Sequence, residues 1–160
     1  MAALRAAIEN GSAPPQAIGC LLLLAATGAR KSEILKLEWS DVDLERRMIA
    51  LADSKTGKKS IFLSGFAVEI LQNLPRIDGN PYVIVGERAG GHFVGLQKVW
   101  QRLRKAAGLT DVRIHDLRHD FASMAAASGA SLLEIGALIG HRKVSTTAHA
   151  CDDRHDCVLE

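Results

Sequence analysis

The chain has few of the features that mark secreted or membrane proteins. It contains three cysteines, and their odd number and scattered positions (Cys20, Cys151 and Cys157) do not form a disulfide framework. Its most apolar run, residues 17–27, is too short to span a bilayer, and no signal peptide is recognised. These shortages predict a cytoplasmic protein without a membrane partner, in which residues 17–27 form a buried helix.

Neither positive nor negative charge is in large excess. The 20 Lys and Arg residues oppose 18 Asp and Glu residues, and a net charge of +2 does not by itself indicate a nucleic-acid partner. No Walker loop, GxGxxG or GxSxG sequence occurs, which argues against nucleotide-binding and α/β-hydrolase classes. The 48% hydrophobic and 24% charged content is typical of a globular protein, so we expect a single domain over residues 1–160.

Residues 114–150, which begin with IHDLRHDFASMAAASG, organise the rest of the chain. Leu117, Phe121 and Met124 recur near helical spacing and predict a helix with this stripe buried, ending near Gly129. His115 and Arg118 lie three residues apart, so they share a helix face and can reach one ligand. A histidine there is more usually a cap, and a helical arginine is more usually solvated.

A second helix is predicted directly afterwards. Ser131 and Glu134 have the spacing of a capping box, and Gly140 ends the helix just before His141. The residues predicted to face inward are Leu132, Ile135 and Leu138. The two helices would bring His115, Arg118 and His141 to one pocket suited to an anionic phosphate. A metal site remains an alternative, because His115 and His119 have the i, i+4 spacing of zinc ligands.

Earlier in the chain, Arg30 lies between the predicted buried helix and its successor. Its guanidinium either pairs with a carboxylate such as Glu33 or faces an external anion, and local sequence leaves both open. Two short strands, MIALAD and SIFLS, follow and are joined by residues 54–59. Lys55 in that connection either solubilises a hairpin tip or acts on a leaving group.

The remaining elements complete a mostly α domain with a small antiparallel β-sheet, an α+β class. Helices are predicted at 66–74 and 96–107, and a further buried strand at 82–85. The helix at 96–107 carries a basic stripe of Lys98, Arg102 and Lys105. Such a stripe usually just solvates a helix, but beside a phosphate pocket it would follow a nucleic-acid backbone.

Four separated motifs occur in the order and spacing of one family: ATGARKSEILKLEWSDVDL, SKTGKKSIFLS, HDLRHDFAS and LIGHRKVSTTAHA. In these motifs, over about residues 14–150, the chain resembles the catalytic domain of tyrosine recombinases, the phage integrase family. The resemblance implies the catalytic core fold of DNA breaking–rejoining enzymes. It also implies that Glu33 supports the first arginine, and that the catalytic residues are Arg30, Lys55, His115, Arg118 and His141.

The resemblance further implies the chemistry and the partner. A tyrosine attacks a DNA phosphodiester, forming a 3′-phosphotyrosine and releasing a 5′-hydroxyl, while arginines stabilise the phosphorane charge. Lys55 would protonate the leaving oxygen, His115 would act as base or proton shuttle, and His141 would donate to the phosphate. No metal or other cofactor is expected, because guanidinium groups take the electrostatic role of Mg²⁺. The expected partner is double-stranded DNA, on which protein copies associate, and no small-molecule substrate is expected.

The sequence departs from the family at the nucleophile. The family places its tyrosine about nine residues after the later histidine, where this chain has Ala150, and its one tyrosine is Tyr82, in a predicted core strand. We therefore expect the domain to be inactive alone, with residues 151–160 as an irregular tail and the upstream core-binding domain of integrases absent. The alternatives are a non-catalytic DNA-binding remnant and a metal hydrolase using His115, His119 and His141.

Overall fold

The computed structural model describes residues 13–54, 57–109 and 111–140. The helices in chain order are α1 (Pro15–Thr27), α2 (Lys31–Leu35), a 3₁₀ helix (Trp39–Asp41), α3 (Gly65–Asn73), α4 (Leu96–Ala106), α5 (Asp116–Ala127) and α6 (Leu132–Ile139). The strands are β1 (Val42–Asp43), β2 (Met48–Ser54) and β3 (Gly57–Phe62), which form one antiparallel sheet in the order β1-β2-β3. The predicted class, mostly α with a small antiparallel sheet, is confirmed.

Helix α1 is the central element of the core, as its all-round hydrophobicity predicts. Pro15 occupies its first turn, where a missing N–H costs no hydrogen bond, and Gly28 ends it in the left-handed conformation with φ of 60°. Cys20 and Leu23 are fully buried, and the helix packs against α3 and α5. Helix α2 also contacts α1, so the side chains of α2 and α5 are positioned relative to this one helix.

The hairpin of the sheet is tighter than the sequence pattern indicated. Ile49 of β2 pairs with Ile61 of β3, and both side chains are buried. Residues 57–59 were predicted to lie in the connection, but β3 already begins at Gly57 and pairs Lys59 with Leu51. Since alternate strand residues face the same side, Lys59 faces the core with Ile61. Lys55 lies outside the described residues.

The strand predicted at 82–85 is wrong as an element of the sheet. The backbone there forms only isolated bridges, of Glu38 with Tyr82 and of Val85 with His92, and the third strand is β1. Val83 is buried as the apolar run indicated, but its N–H donates to the carbonyl of Leu37 at 2.8 Å rather than to a strand of the sheet. Apolarity predicted the burial correctly and could not identify the pairing partner.

The predicted caps of the last two helices are confirmed, but two residues predicted to face inward are exposed: Met124 of α5, and Leu132 of α6, which is 39% exposed in the first turn of its helix. Ser131 and Glu134 form the capping box of α6, and Gly140 ends that helix in the left-handed conformation. Leu117 is buried and Phe121 partly buried, but Met124 is 52% exposed, because α6 packs against a neighbouring face of α5. The packing of α5 against α6 forms a second small core of Ala122, Ile135 and Ile139.

Helix α4 agrees with its prediction to within one residue, and its basic stripe faces solvent. Lys98, Arg102 and Lys105 are exposed, while Leu96, Val99 and Leu103 are buried. Among the described residues, no helix has both the length and the apolarity that crossing a bilayer would need.

Candidate functional site

Arg30 is held in place by the residues that start α2. It occupies the position before the first helical residue in extended backbone conformation, two residues after the turn at Gly28. Its backbone N–H donates to Glu33 Oε2 at 2.9 Å, and its guanidinium Nη1 donates to Glu33 Oε1 at 2.8 Å. The structural pair considered from sequence therefore exists, and it fixes the orientation of a guanidinium that remains partly exposed.

Arg118 lies in the first turn of α5 and is only 5% exposed. Its Nη1 donates to the carbonyl of Gly28 at 2.5 Å, and its Nη2 donates to the carbonyl of Ile139. Burial and the neighbouring Arg30 charge lower the pKa of Arg118 to about 10, so the group stays cationic at neutral pH. Among the described residues no carboxylate forms an ion pair with Arg118, and Glu33, whose charge raises the pKa of Arg118, is already paired with Arg30. The resulting excess of positive charge favours an anionic ligand.

The two arginines converge on the carboxyl end of α6. Arg118 donates to the carbonyl of Ile139, and Arg30 Nη2 approaches the next carbonyl, that of Gly140, at 3.4 Å. Gly28 and Gly140 both end helices in the left-handed conformation, and both present a carbonyl to an arginine. Arg30 and Arg118, far apart in sequence, are thus brought together, as the family resemblance implied.

Glu33 is the carboxylate of this network and is itself buried. Burial alone would raise the pKa of Glu33, but hydrogen bonds from the backbone and side chain of Arg30 and the charge of Lys59 outweigh it. The pKa of Glu33 therefore lies below its usual range, and the carboxylate is ionised at neutral pH. Its two hydrogen bonds with Arg30 are contacts that a supporting carboxylate would make, and that role stays a prediction.

Lys59 is the residue of this network that the sequence analysis missed. Its ammonium group donates to Glu33 Oε2 at 3.2 Å and to the carbonyl of Ile139 at 3.4 Å. Burial lowers the pKa of Lys59 more than Glu33 raises it, and the charges of Arg118 and Arg30 lower it further. The signal was present in the sequence, because Lys59 is in phase with the apolar residues Ile61 and Leu63 on a strand of period two.

His115 directly precedes α5, at the mouth of the site. Burial lowers the pKa of His115, and the facing His119 and the charges of Arg118 and Arg113 add to that effect against Asp116. The rings of His115 and His119 meet edge to face with centroids 5.0 Å apart. The imidazole is consequently neutral at pH 7, the form that accepts a proton.

A cleft of about 350 Å³ opens in front of His115 and Arg118. Its lining residues are Leu24, Ala29, Lys31, Gln97, Arg113, Ile114, His115 and Arg118. Among these described residues the polar side chains are cationic or neutral and none is a carboxylate, so this part of the cleft suits an anion such as a phosphate. Gln97 belongs to α4, and this places the helix with the basic stripe at the border of the cleft.

Several predicted site residues cannot be placed. Lys55, His141 and Ala150 lie outside the described residues. Tyr82 is described, and its ring meets that of His92 edge to face at 5.4 Å. It is not among the residues that line the cleft.

The metal alternative was tested on the same part of the chain. Within residues 13–54, 57–109 and 111–140, no group of three or more His, Cys, Asp or Glu residues is arranged to hold a metal ion. His119 has other interactions in the structure, and His141 lies outside the described residues. Within its described part the site is a cluster of cations with two buried carboxylates, Glu33 beside Arg30 and Lys59, and Asp116 beside Arg113.

Comparison with known sequences assigns the chain to a family. The model of the phage integrase family matches residues 1–153. The tyrosine recombinase XerC of Herpetosiphon aurantiacus is 32% identical over 148 residues, covering 84% of this chain and 48% of that protein. The tyrosine recombinase XerA of Thermococcus onnurineus is 33% identical over 132 residues, covering 79% and 47%. The chain spans about half the length of these curated relatives.

Solved structures agree with the sequence comparison. The crystal structure of the XerA recombinase superposes with a TM-score of 0.78 at 27% identity, covering 93% of this chain and 56% of the other. A XerH site-specific recombinase bound to its difH substrate gives a TM-score of 0.76 at 20% identity, covering 92% and 46%. A lambda integrase dimer bound to a COC′ core site gives 0.71 at 21%, covering 96% and 46%. At these last two identities the likeness concerns the fold alone.

Proposed function

The chain belongs to the phage integrase family of tyrosine recombinases, and from that premise we propose that it binds duplex DNA with one backbone phosphate in the cleft. Arg118, which lines the cleft, and Arg30, which does not but whose neighbours Ala29 and Lys31 do, would hold the non-bridging oxygens of that phosphate, and His115 would lie beside them. The observation that carries the proposal is the convergence of two guanidinium groups on the carboxyl end of α6, beside a cleft whose described lining contains no carboxylate. Guanidinium groups suit phosphate because their planar N–H donors match its oxygens in pairs.

The arrangement supports phosphoryl transfer more specifically than simple anion binding. A phosphorane carries more negative charge on its equatorial oxygens than the diester does, and donors held rigidly in advance stabilise that charge best. Arg118 is held by backbone carbonyls and Arg30 by Glu33, so neither has to reorganise as the charge develops. A neutral His115 would accept the proton of an attacking hydroxyl. Lys55 would protonate the leaving 5′-oxygen, and His141 would donate to the phosphate.

The chain as it stands would bind DNA without cleaving it. Its single tyrosine is Tyr82, and the position where the family has its nucleophile is Ala150. Arginine and histidine side chains stabilise a phosphorane but supply no attacking oxygen. We therefore propose a DNA-binding catalytic domain that forms no covalent adduct alone, and whose copies associate on DNA in the cytoplasm.

The test is a denaturing gel with an end-labelled, nicked duplex. We expect no retarded band from the wild-type protein. Ala150→Tyr should give a weak retarded band, and Ala150→Tyr combined with Arg118→Ala should lose it again. A band from the wild-type protein would contradict the inactive assignment, because His149, Cys151 or Tyr82 would then act as nucleophile.

A negative result with Ala150→Tyr has a definite interpretation if residues were lost from the segment. Each missing residue of a helix rotates the following side chain by about 100°. Moving the tyrosine to 149 or 151 in parallel variants therefore distinguishes a shifted register from a dead site. Loss of DNA binding in Arg118→Ala, measured on the same duplex by a mobility shift, tests the phosphate contact independently of any chemistry.

A further inference from the structure

Lys59 connects the β-hairpin to Arg30 and to Arg118 through hydrogen-bond partners that it shares with each of them. Its ammonium donates to Glu33 Oε2, the same oxygen that accepts the backbone N–H of Arg30. It also donates to the carbonyl of Ile139, which accepts the guanidinium of Arg118. Its side chain is only 5% exposed. One lysine on β3 therefore contacts a hydrogen-bond partner of each arginine without lining the cleft itself.

Stability alone does not account for a charge at this position. Lys59 lies in phase with the buried residues Ile61 and Leu63 on the inward face of its strand. Removing a lysine and a glutamate from water costs several kcal/mol for each ion, and an apolar pair of similar size is often as stable. An apolar residue here would extend the core, whereas the lysine brings a third cation to the carboxyl end of α6.

The charge balance of the network explains what that cation does. Glu33 faces Arg30 on one oxygen, and without Lys59 its second oxygen would accept from the Arg30 backbone alone. A buried carboxylate left with spare acceptor capacity competes with an incoming phosphate for the same guanidinium. Lys59 also donates to the carbonyl oxygen of Ile139, which accepts from Arg118 as well. The two cations therefore share this acceptor.

We propose that Lys59 is a positioning residue for the phosphate site, which holds Glu33 and the end of α6 so that Arg30 and Arg118 keep their donors directed at the bound phosphate. This inference rests on the proposed function, because it assumes that a phosphate is bound by these two arginines. Lys59 acts through its neighbours and does not contact the phosphate.

The experiment measures binding of orthovanadate, a single phosphate-like oxyanion, to the full chain by titration calorimetry at low salt. Lys59→Met removes the charge at nearly constant length, and we expect the affinity to fall between about tenfold and a hundredfold, since misaligned donors lose that much. Lys58→Met is the matched control, because Lys58 is the exposed neighbour on the same strand and loses the same charge. We expect Lys58→Met to bind within about twofold of wild type, and Lys59→Arg to keep most of the affinity.

A second readout separates positioning from a structural role. The side-chain Nε–H resonances of Arg30 and Arg118 should both shift in Lys59→Met and stay near their wild-type positions in Lys58→Met. A purely structural role would lower the melting temperature and leave the affinity and both resonances of the folded variant unchanged. That result, or equal loss of affinity in Lys58→Met, would overturn the inference.

Two controls keep the outcome unambiguous. If Lys59→Met does not fold, the neutral pair Glu33→Gln/Lys59→Gln removes both buried charges together, and unchanged orthovanadate affinity in that variant overturns the inference. Wild-type protein that binds orthovanadate no better than Arg118→Ala refutes the proposed phosphate site itself, and the role of Lys59 falls with it. Binding by wild type with no effect at Lys59 refutes only the role of Lys59.

Discussion

His115 combines partial burial with cationic neighbours, and its protonation should therefore be visible in the stability of the protein. Burial, His119 and Arg118 lower its pKa, whereas an unfolded histidine titrates near about 6.5. As pH falls, the unfolded chain takes up this proton before the folded chain does. The stability that His115 contributes is complete above about pH 6.5 and is lost as pH falls through the folded pKa.

We expect the urea midpoint to fall more steeply between about pH 7 and pH 5 in wild type than in His115→Gln, whose amide does not titrate. Acidic and basic groups that do not interact with His115 contribute equally to both proteins and cancel in the comparison. Parallel curves for the two proteins would show that the pKa of His115 is the same in the folded and unfolded states.

Single residues also show where sequence reasoning succeeds and where it stops. Arg30 and Arg118 were expected in one site because of the family resemblance, and the structure brings them to adjacent carbonyls. Lys59 was missed because a lysine beside a turn is usually solvated, and its burial depends on Glu33 and Ile139 from distant parts of the chain. Met124 was wrongly predicted to be buried, because helical period identifies a face of α5 but not which neighbour covers it.

At the scale of elements, the turn at Gly28 joins the core helix to the site. Its φ is 60°, and a Cβ at this position would lie 2.5 Å from Cδ1 of Phe121. Gly28→Ala should therefore combine backbone strain with a clash against a ring of α5, and lower the free energy of unfolding by about 2–4 kcal/mol. Because the Gly28 carbonyl accepts from Arg118, DNA binding should weaken as well.

Gly79→Ala is the matched control for this substitution. Gly79 has a φ of 78° but no atom within 4 Å of an added Cβ, so only the backbone strain remains, about 1–2 kcal/mol. The difference between the two variants in chemical denaturation measures the clash with Phe121. Equal losses would mean that the ring moves aside at no cost.

The amino-terminal caps of α6 and α3 allow a second comparison between elements. Ser131 Oγ accepts from the backbone N–H of Glu134 at 3.3 Å, and Ser64 Oγ accepts from that of Ala67 at 3.2 Å. Ser131→Ala and Ser64→Ala should each cost about 1 kcal/mol of stability. Only Ser131→Ala should also weaken DNA binding, since α6 carries the carbonyls that anchor both arginines. Equal losses of DNA affinity in the two variants would show that the cap of α6 has no specific effect on the site.

Element type was more predictable than element pairing. The helices and their caps follow from local signals, including Gly28, Ser131 and Gly140, that need no knowledge of the rest of the chain. The pairing of β2 with β3 was also predicted, but the second partner of β2 was not, because the two-residue strand β1 has no periodicity to detect. The apolar residues at 83–85 pair instead with loop backbone, which no local pattern encodes.

At the scale of the whole molecule, the small net charge of +2 coexists with an exposed basic stripe on α4, the helix that borders the cleft through Gln97. Lys98, Arg102 and Lys105 are exposed on α4, whose Gln97 borders the cleft. We expect binding to duplex DNA that tolerates sequence changes and weakens steeply as salt is raised, because phosphate contacts release counterions. Lys98→Glu and Arg102→Glu should each reduce affinity on every duplex tested, measured by fluorescence anisotropy across a salt series.

Arg88→Glu provides the same charge change on an exposed loop outside α4. A smaller loss in this variant would assign the effect to the surface of α4 and not to net charge. Affinity that did not change between low and moderate salt would argue against DNA as the partner.

The bonds that anchor the two arginines also determine when the site can form during folding. Arg118 reaches a carbonyl 90 residues away in sequence, and Arg30 reaches one 110 residues away. Contacts between such distant residues require large loops to close first, so they form late, after local helices and the hairpin. A partly folded chain with native helices would still have no phosphate site. Recovery of oxyanion binding during refolding should therefore lag behind recovery of the helical circular dichroism signal. Oxyanion binding would then indicate that the long-range contacts have formed.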